Sequence, residues 1–255
     1  MGIYWSSFKE AFALRTDHRP WPIPNRPWIM KQIWNRLLFA HWPIEPGAME
    51  RFIPKGLQLD TYDGKAWIGI VPFHMNGVRL KFLPPVPPVS AFPELNVRTY
   101  VTANDKPGVY FFSMDATSLP VVKGAKWLFH LPYYWADIAW KERENRVHVQ
   151  SERRNADGGY LFRVEYKPVS SAYHAKSGSL AYWLTERYCL YAPHRERLYR
   201  CEIVHEPWLL HDAEGTIYTN TMVEPLGLEL PDEEPLLHYA ERQEVVVWGL
   251  EEVLN

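Results

Sequence analysis

The feature that most constrains this chain is a two-residue rhythm that turn residues interrupt at short intervals. In YLFRVEYKP, Tyr160, Phe162, Val164 and Tyr166 share one parity, and Arg163, Glu165 and Lys167 share the other. A strand points successive side chains to opposite faces, so this is the pattern of a half-buried antiparallel strand. Asp63-Gly64 in DTYDGKAW lies between two apolar runs, a short-hairpin signal. NDKPG separates LNVRTYVTA from VYFFSMDA, and NADGG separates RVHVQSERR from YLFRVEYKP. From Trp34 onward the chain reads as a succession of strands. The expected class is α+β, mainly antiparallel β.

A few short helices interrupt that succession. EPGAMERFIP is expected to form one, ended by Pro54. SLPVVKGAKWLFH forms another, with Ser118 as N-cap and Pro120 in the first turn. Leu119, Val122, Ala125 and Phe129 fall on one side of it, and Pro132 sets its end by disfavouring helix at Leu131. A third starts near Ser179 and runs toward Thr185. Residues 1–30 read as an N-terminal arm rich in Pro and Trp, because Pro20, Pro22, Pro24 and Pro27 favour extended backbone. Residues 31–255 read as a single domain. LPPVPPVS at 83–90 carries P-x-x-P spacing, but a stiff loop between two strands is the expected role.

Composition removes several function classes. The net charge of −2 supplies no basic field for nucleic acid or an anionic membrane. No apolar run approaches the ~20 residues of a membrane helix, and the N-terminus lacks a secretory pattern. Gly2 and Ser6 fit a myristoylation pattern short enough to match by chance. The expected location is cytoplasmic. Cys189 and Cys201 stand symmetrically about Arg195, so a hairpin turning there would set them face to face; two buried thiols are the expected state rather than a redox disulfide. Aromatic residues make up 15% of the chain, which calls for a large core or an aromatic-lined pocket.

The usual catalytic signatures are absent: the sequence holds no glycine-rich phosphate loop, no G-x-S-x-G elbow and no H-E-x-x-H. No metal or cofactor is expected. Three stretches instead set polar groups among apolar ones. In AFPELNVRTYV, alternation puts Glu94, Asn96, Arg98 and Tyr100 on one face and Leu95, Val97, Thr99 and Val101 on the other. Glu94 and Arg98 lie about 13 Å apart along a straight strand, too far for an ion pair but suited to opposite ends of one ligand. A solvent-facing edge strand would give the same pattern. In YWLTERYCLY, Glu186 and Arg187 interrupt an aromatic run, and only one of two adjacent strand residues need face a pocket. The third stretch holds Lys126, His130, Tyr133 and Tyr134.

Several blocks then resemble a known family. LLFAHWPI, GLQLDTYDGKAWIGIVPF, FPELNVRTYV, GVYFFSMDA, HLPYYWA, LTERYCLY and LLHYAERQEVVVW occur in the order found in the YqjF-like family of uncharacterised bacterial proteins, also known as domain of unknown function 2071. That family is grouped by fold with the acetoacetate decarboxylases. The resemblance implies a partly closed β-barrel, a few flanking helices and an interior small-molecule cavity. The decarboxylases carry Pro-Lys-Lys after a short helical segment; the first lysine forms a Schiff base and the second lowers its pKa. Pro132-Tyr133-Tyr134 stands in that place here. A phenol cannot form a Schiff base. The tuning is lost too: two ammonium groups at ~4 Å repel by about 4 kcal/mol at an effective dielectric of ~20, worth about three pKa units. Lys123 and Lys126 are the nearest amines in sequence, with a solvated helix surface as their expected place. By the same resemblance Glu94 becomes the candidate acid, base or orienting group.

The candidate catalytic residues are therefore Glu94 and Tyr133, and the candidate ligand-binding residues are Arg98, Asn96, Tyr134, His130, Glu186 and Arg187. Three readings stay open. One is an enzyme acting without a Schiff base on a small carbonyl or hydroxyl carboxylate. Another is a non-catalytic small-molecule binder. The last is a module for protein interaction.

Overall fold

A computed structural model describes residues 15–87, 89–154 and 160–254. The NADGG turn at 155–159 and the Gly2 pattern lie outside the described residues. Thirteen strands form one continuous sheet among these residues: β1 (Met30–Ile44), β2 (Gln58–Leu59), β3 (Ala66–Leu80), β4 (Phe92–Ala103), β5 (Lys106–Ala116), β6 (Tyr133–Arg143), β7 (Arg146–Arg153), β8 (Leu161–Pro168), β9 (Tyr173–His174), β10 (Cys189–His194), β11 (Arg197–Val204), β12 (Leu209–Asn220) and β13 (Leu236–Glu252). The helices are α1 (Pro46–Glu50), α2 (Leu119–Phe129) and α3 (Leu180–Thr185).

The sheet curls back on itself. Strands pair in the order β4-β3-β1-β13-β11-β10-β5, and β5 pairs again with β4. Beyond this ring, β6, β7, β8 and β12 continue the sheet, and β12 returns to β13. All pairings are antiparallel except β5 with β10 and β5 with β6. The expected mainly antiparallel, partly closed architecture with few short helices is what the chain adopts.

Two-residue turns make the tight hairpins. Asp63 and Gly64 hold φ of 49° and 76°, and Tyr62 bridges Lys65 across them. Asn104 and Asp105 (φ 48° and 58°) join β4 to β5, and Glu144 and Asn145 (49° and 64°) join β6 to β7. Such left-handed pairs match the twist of the flanking strands. Only the first two residues of NDKPG make the turn; Lys106, Pro107 and Gly108 already belong to β5.

Bulges keep a constant face inward on long strands. On β1, Met30, Gln32 and Trp34 line the interior of the ring, and beyond Arg36 so do Leu37 and Phe39. The parity changes because Arg36 sits at φ 55° beside a register shift against β3. On β3 the inward residues run Val71, Phe73, Met75 and then Val78 and Leu80, with Gly77 at φ 60° between them. One extra residue bends a strand and flips its alternation, and glycine takes this φ without strain. The ring thus separates two apolar regions. Phe39, Phe73, Tyr100 and Phe111 belong to the inner one. Leu38, Ile70, Val97, Phe162 and Tyr166 belong to the other, which gathers side chains from β1, β3 and β4 with those of β6 to β8.

Helix expectations hold in place more than in detail. Helix α1 stops at Glu50, short of Pro54. Helix α2 has Pro120 in its first turn, but the Ser118 side chain makes no capping bond, and His130 ends it at φ 54°. Helix α3 starts after Ser179, whose hydroxyl accepts from the Tyr182 N–H at 3.3 Å. The expected face-to-face cysteines are corrected by register: His194 pairs with Arg197, so Cys189 stands opposite Glu202 and Cys201 opposite Leu190. The turn is centred between Arg195 and Glu196, half a residue from the symmetry point of the two cysteines. Both are free and buried.

Residues 15–29 pack along β11 and β13. Trp28 is buried with Val204, Val246 and Trp248, and the Ile29 N–H donates to the Val247 carbonyl at 2.9 Å.

Candidate functional site

The ring interior encloses a cavity of about 370 Å³, bounded by β1, β3, β4 and β5, by helix α2 and by the 78–90 segment. Strand β4 supplies three of its polar residues, and β4 lies between β3 and β5 instead of at a solvent edge. Glu94, Asn96 and Arg98 all line the cavity, while Leu95 and Val97 pack into the other apolar region.

Glu94 is buried, and its Oε2 accepts from the Tyr133 hydroxyl at 2.8 Å. Its Oε1 has no hydrogen-bond partner, and neither has Asn96 Oδ1. Burial pushes the Glu94 pKa up to about 8, against the opposing pull of Tyr133 and Asn96 and with a small push from Asp115. At neutral pH this side chain is mainly the uncharged acid, able to donate a hydrogen bond from a dry site. Tyr133 is pushed well above 10 by burial and by the carboxyl beside it, so its hydroxyl stays protonated.

Arg98 has no carboxylate within ion-pair distance among the described residues. Its Nη2 donates at 3.4 Å to the Tyr100 hydroxyl and to the Leu184 carbonyl, and its Nε has no partner. Its guanidinium carbon lies 5.3 Å from the Phe39 ring centroid. Gly69 makes room nearby: a Cβ there would meet the His41 ring at 2.9 Å and Arg98 Cγ at 3.5 Å. His41 Nε2 lies 2.6 Å from the Tyr100 hydroxyl, which donates to the Leu184 carbonyl at 2.9 Å. Burial, followed by the Arg98 charge, holds His41 well below its usual pKa, so it is neutral.

The other expected residues divide. Arg187 reaches the cavity. Its Nη1 pairs with Asp60 at 2.6 Å, its Nε donates to the Trp183 carbonyl at 2.7 Å, and its Nη2 has no partner. Glu186 faces away: no strand runs there, and its carboxylate accepts from the Trp208 N–H at 2.9 Å and from the Tyr188 hydroxyl. Tyr134 is 37% exposed, on the opposite face of β6 from Tyr133, with Arg153 over its ring at 4.0 Å. His130 stacks on His194 at 3.8 Å beyond the end of α2 and is not among the cavity-lining residues. Lys123 and Lys126 are exposed on α2, and no lysine lines the cavity among the described residues.

Trp208 was not legible as a site residue. It follows Pro207 in a linker, with no alternation to orient it, yet it lines the cavity and its Nε1 has no partner. Five buried polar atoms without partners therefore belong to lining residues: Glu94 Oε1, Asn96 Oδ1, Arg98 Nε, Arg187 Nη2 and Trp208 Nε1. Buried polar atoms are nearly always satisfied, so these five set the wall of this cavity apart from an ordinary core. Among the described residues no group of three or more His, Cys, Asp or Glu is placed to hold a metal ion.

The curled, mainly antiparallel sheet has an acetoacetate decarboxylase-like fold, as solved structures show. The chain matches the acetoacetate decarboxylase of Legionella pneumophila with a TM-score of 0.61 at 10% identity, covering 93% of each chain. An acetoacetate decarboxylase-like enzyme from Sphingomonas wittichii gives 0.61 at 14%, covering 93% of this chain and 98% of that one. The enduracididine biosynthesis enzyme MppR, complexed with pyruvate, gives 0.61 at 12%, covering 92% and 93%. At these identities the likeness is one of fold. Within that class the chain belongs to the DUF2071 family, described as an uncharacterized conserved protein, whose model matches residues 31–244. It is 46% identical over 228 residues to the uncharacterized protein YqjF of Bacillus subtilis, covering 89% of this chain and 94% of the relative. No helix among the described residues is long and apolar enough to cross a membrane.

Proposed function

We propose that the cavity binds a small carboxylate bearing a carbonyl or hydroxyl oxygen, and that Glu94 moves a proton on it without a Schiff base. The observation that carries this reading is the set of five buried, unpartnered polar atoms around one cavity. Arg98 is the group for the carboxylate, since its guanidinium has no acidic partner and matches a carboxylate in a fork of two donors. Glu94, as an acid with a pKa near 8, hydrogen-bonds the carbonyl or hydroxyl oxygen. In its ionised form the same carboxylate takes the proton from the carbon next to the carbonyl, leaving an enolate, and as the acid it returns a proton to that carbon; a pKa near the working pH suits both steps. Tyr133 positions that carboxyl through its hydrogen bond to Oε2. The fold accommodates such a molecule elsewhere: MppR is solved with pyruvate, a 2-oxo acid.

The test is proton exchange at the carbon next to the carbonyl of 2-oxohexanoate in heavy water, followed by NMR. The wild-type protein accelerates exchange, and Glu94→Gln abolishes it while the ligand still raises the melting temperature. Borohydride added with the same acid leaves the protein mass unchanged. Exchange by Glu94→Gln at the wild-type rate, or a borohydride adduct on Lys123 or Lys126, would overturn the mechanism. Ligand-induced stabilisation with no exchange in the wild type would leave a binder and remove the enzyme.

A further inference from the structure

The cavity is too large and too apolar for a small acid alone. At about 30 Å³ for each water-sized group, 370 Å³ holds roughly a dozen non-hydrogen atoms, and a three-carbon 2-oxo acid fills about half of that. Most of the polar lining, with Glu94, Asn96 and Arg187, lies in the buried part, and the half-buried Gln32 and Arg79 also line the cavity. Elsewhere the wall is apolar, and one side of it opens to solvent: Leu80, Leu83, Val86 and Leu128 line the cavity and are 46%, 54%, 53% and 50% exposed. These residues come from the end of β3 and the proline-rich segment that follows it, and from helix α2. They make a mouth whose rim is apolar, beside the exposed rings of Phe82 and Trp127. The P-x-x-P stretch thus has a role in the folded chain as one stiff lip of the opening; Pro88 lies outside the described residues.

We infer that the ligand is an amphipathic 2-oxo or hydroxy carboxylic acid whose apolar tail, of roughly six or seven carbons, runs from the Arg98–Glu94 floor to the mouth between Leu83 and Leu128. This rests on the carboxylate reading of the floor and adds the tail. The direction follows from the two ends. A charged head at the mouth would meet Leu80, Val86, Leu128 and an Arg79 already engaged by another group, and the tail would then lie against Asn96 and Arg187, leaving polar atoms buried without partners. A second carboxylate short of the mouth, as in 2-oxoglutarate, would be buried against Val71, Phe73 and Phe111, so a short dicarboxylate is disfavoured.

Calorimetric titration of the full chain with 2-oxobutanoate, 2-oxohexanoate, 2-oxooctanoate and 2-oxoglutarate tests this. Affinity is expected to rise about fourfold per added methylene up to 2-oxooctanoate, the equivalent of about 0.8 kcal/mol for each buried CH₂. 2-Oxoglutarate is expected to bind at least tenfold more weakly than 2-oxohexanoate. Leu83→Asp, at a half-exposed position that tolerates charge, is expected to reduce the gain from 2-oxobutanoate to 2-oxooctanoate. Affinities independent of chain length, or tightest binding by 2-oxoglutarate, would overturn the tail while leaving the acid-binding floor intact. Failure of every 2-oxo acid to bind would overturn the floor and the tail with it.

Discussion

Glu94 shows most directly how one residue's surroundings set its chemistry. Its folded pKa lies near 8, above the ordinary 4.5, because burial disfavours the charged form. Between those two values the folded chain holds a proton that the unfolded chain has released. Stability from this group is therefore complete below about pH 4.5 and is lost as pH rises through 8, at about 1.4 kcal/mol per unit in that window. Glutamine needs no proton, so Glu94→Gln should flatten this slope and melt above the wild type at pH 9. Parallel wild-type and variant melting curves from pH 5 to 9 would show that the carboxyl is solvated instead. Gly69 offers a second residue-scale test. A methyl there would sit 2.9 Å from the His41 ring, which the Tyr100 hydroxyl holds in place. Gly69→Ala should lower stability by about 1–3 kcal/mol in denaturant titration, the usual range for overpacking; a neutral result would mean the ring can yield.

At the scale of elements, the contact between residues 15–29 and β11 is anchored by one buried carboxylate. Glu202 accepts from Arg19 at 2.9 Å, from the Trp21 indole at 2.6 Å and from Lys106 at 3.1 Å, with Arg200 also within 3.1 Å. Burial alone would raise its pKa; the donors from Trp21, Arg19 and Lys106 outweigh that and leave it below the usual carboxylate range. A depressed folded pKa gives stability that is present above the unfolded value and lost as pH falls through the folded one. Acid should therefore loosen this segment. Glu202→Gln should destabilise the chain by about 3 kcal/mol, since it leaves Arg19 buried without a counter-charge. It should also expose the Trp28–Ile29 bond to chymotrypsin, and an unchanged cleavage pattern would separate the segment from Glu202. The bulges at Arg36 and Gly77 act at this scale as well. Each shifts parity at mid-strand, so that both halves of β1 and β3 face the cavity.

Across the whole molecule, legibility followed local chemistry. Alternation in FPELNVRTY gave the right faces for Glu94, Asn96 and Arg98, because β4 keeps one parity along that stretch. Asp63-Gly64 gave a real turn, because only certain residues accept its dihedrals. Parity read through Arg36 would have misassigned half of β1, since nothing in an arginine announces a positive φ. Glu186 looked like a pocket residue because charge among aromatics is costly, yet that cost is met by the Trp208 amide and the Tyr188 hydroxyl, groups distant or inconspicuous in sequence. Trp208 itself was hidden because tertiary packing, not periodicity, turns it inward. The central claim is that a carboxylate-bearing ligand binds in this cavity against Arg98. Calorimetry of 2-oxohexanoate with wild type and with Arg98→Met tests it most directly. Losing a charge-assisted hydrogen bond of about 1.5–3 kcal/mol predicts a roughly 10- to 150-fold weaker Kd for the variant. Equal affinity in two folded proteins would contradict it.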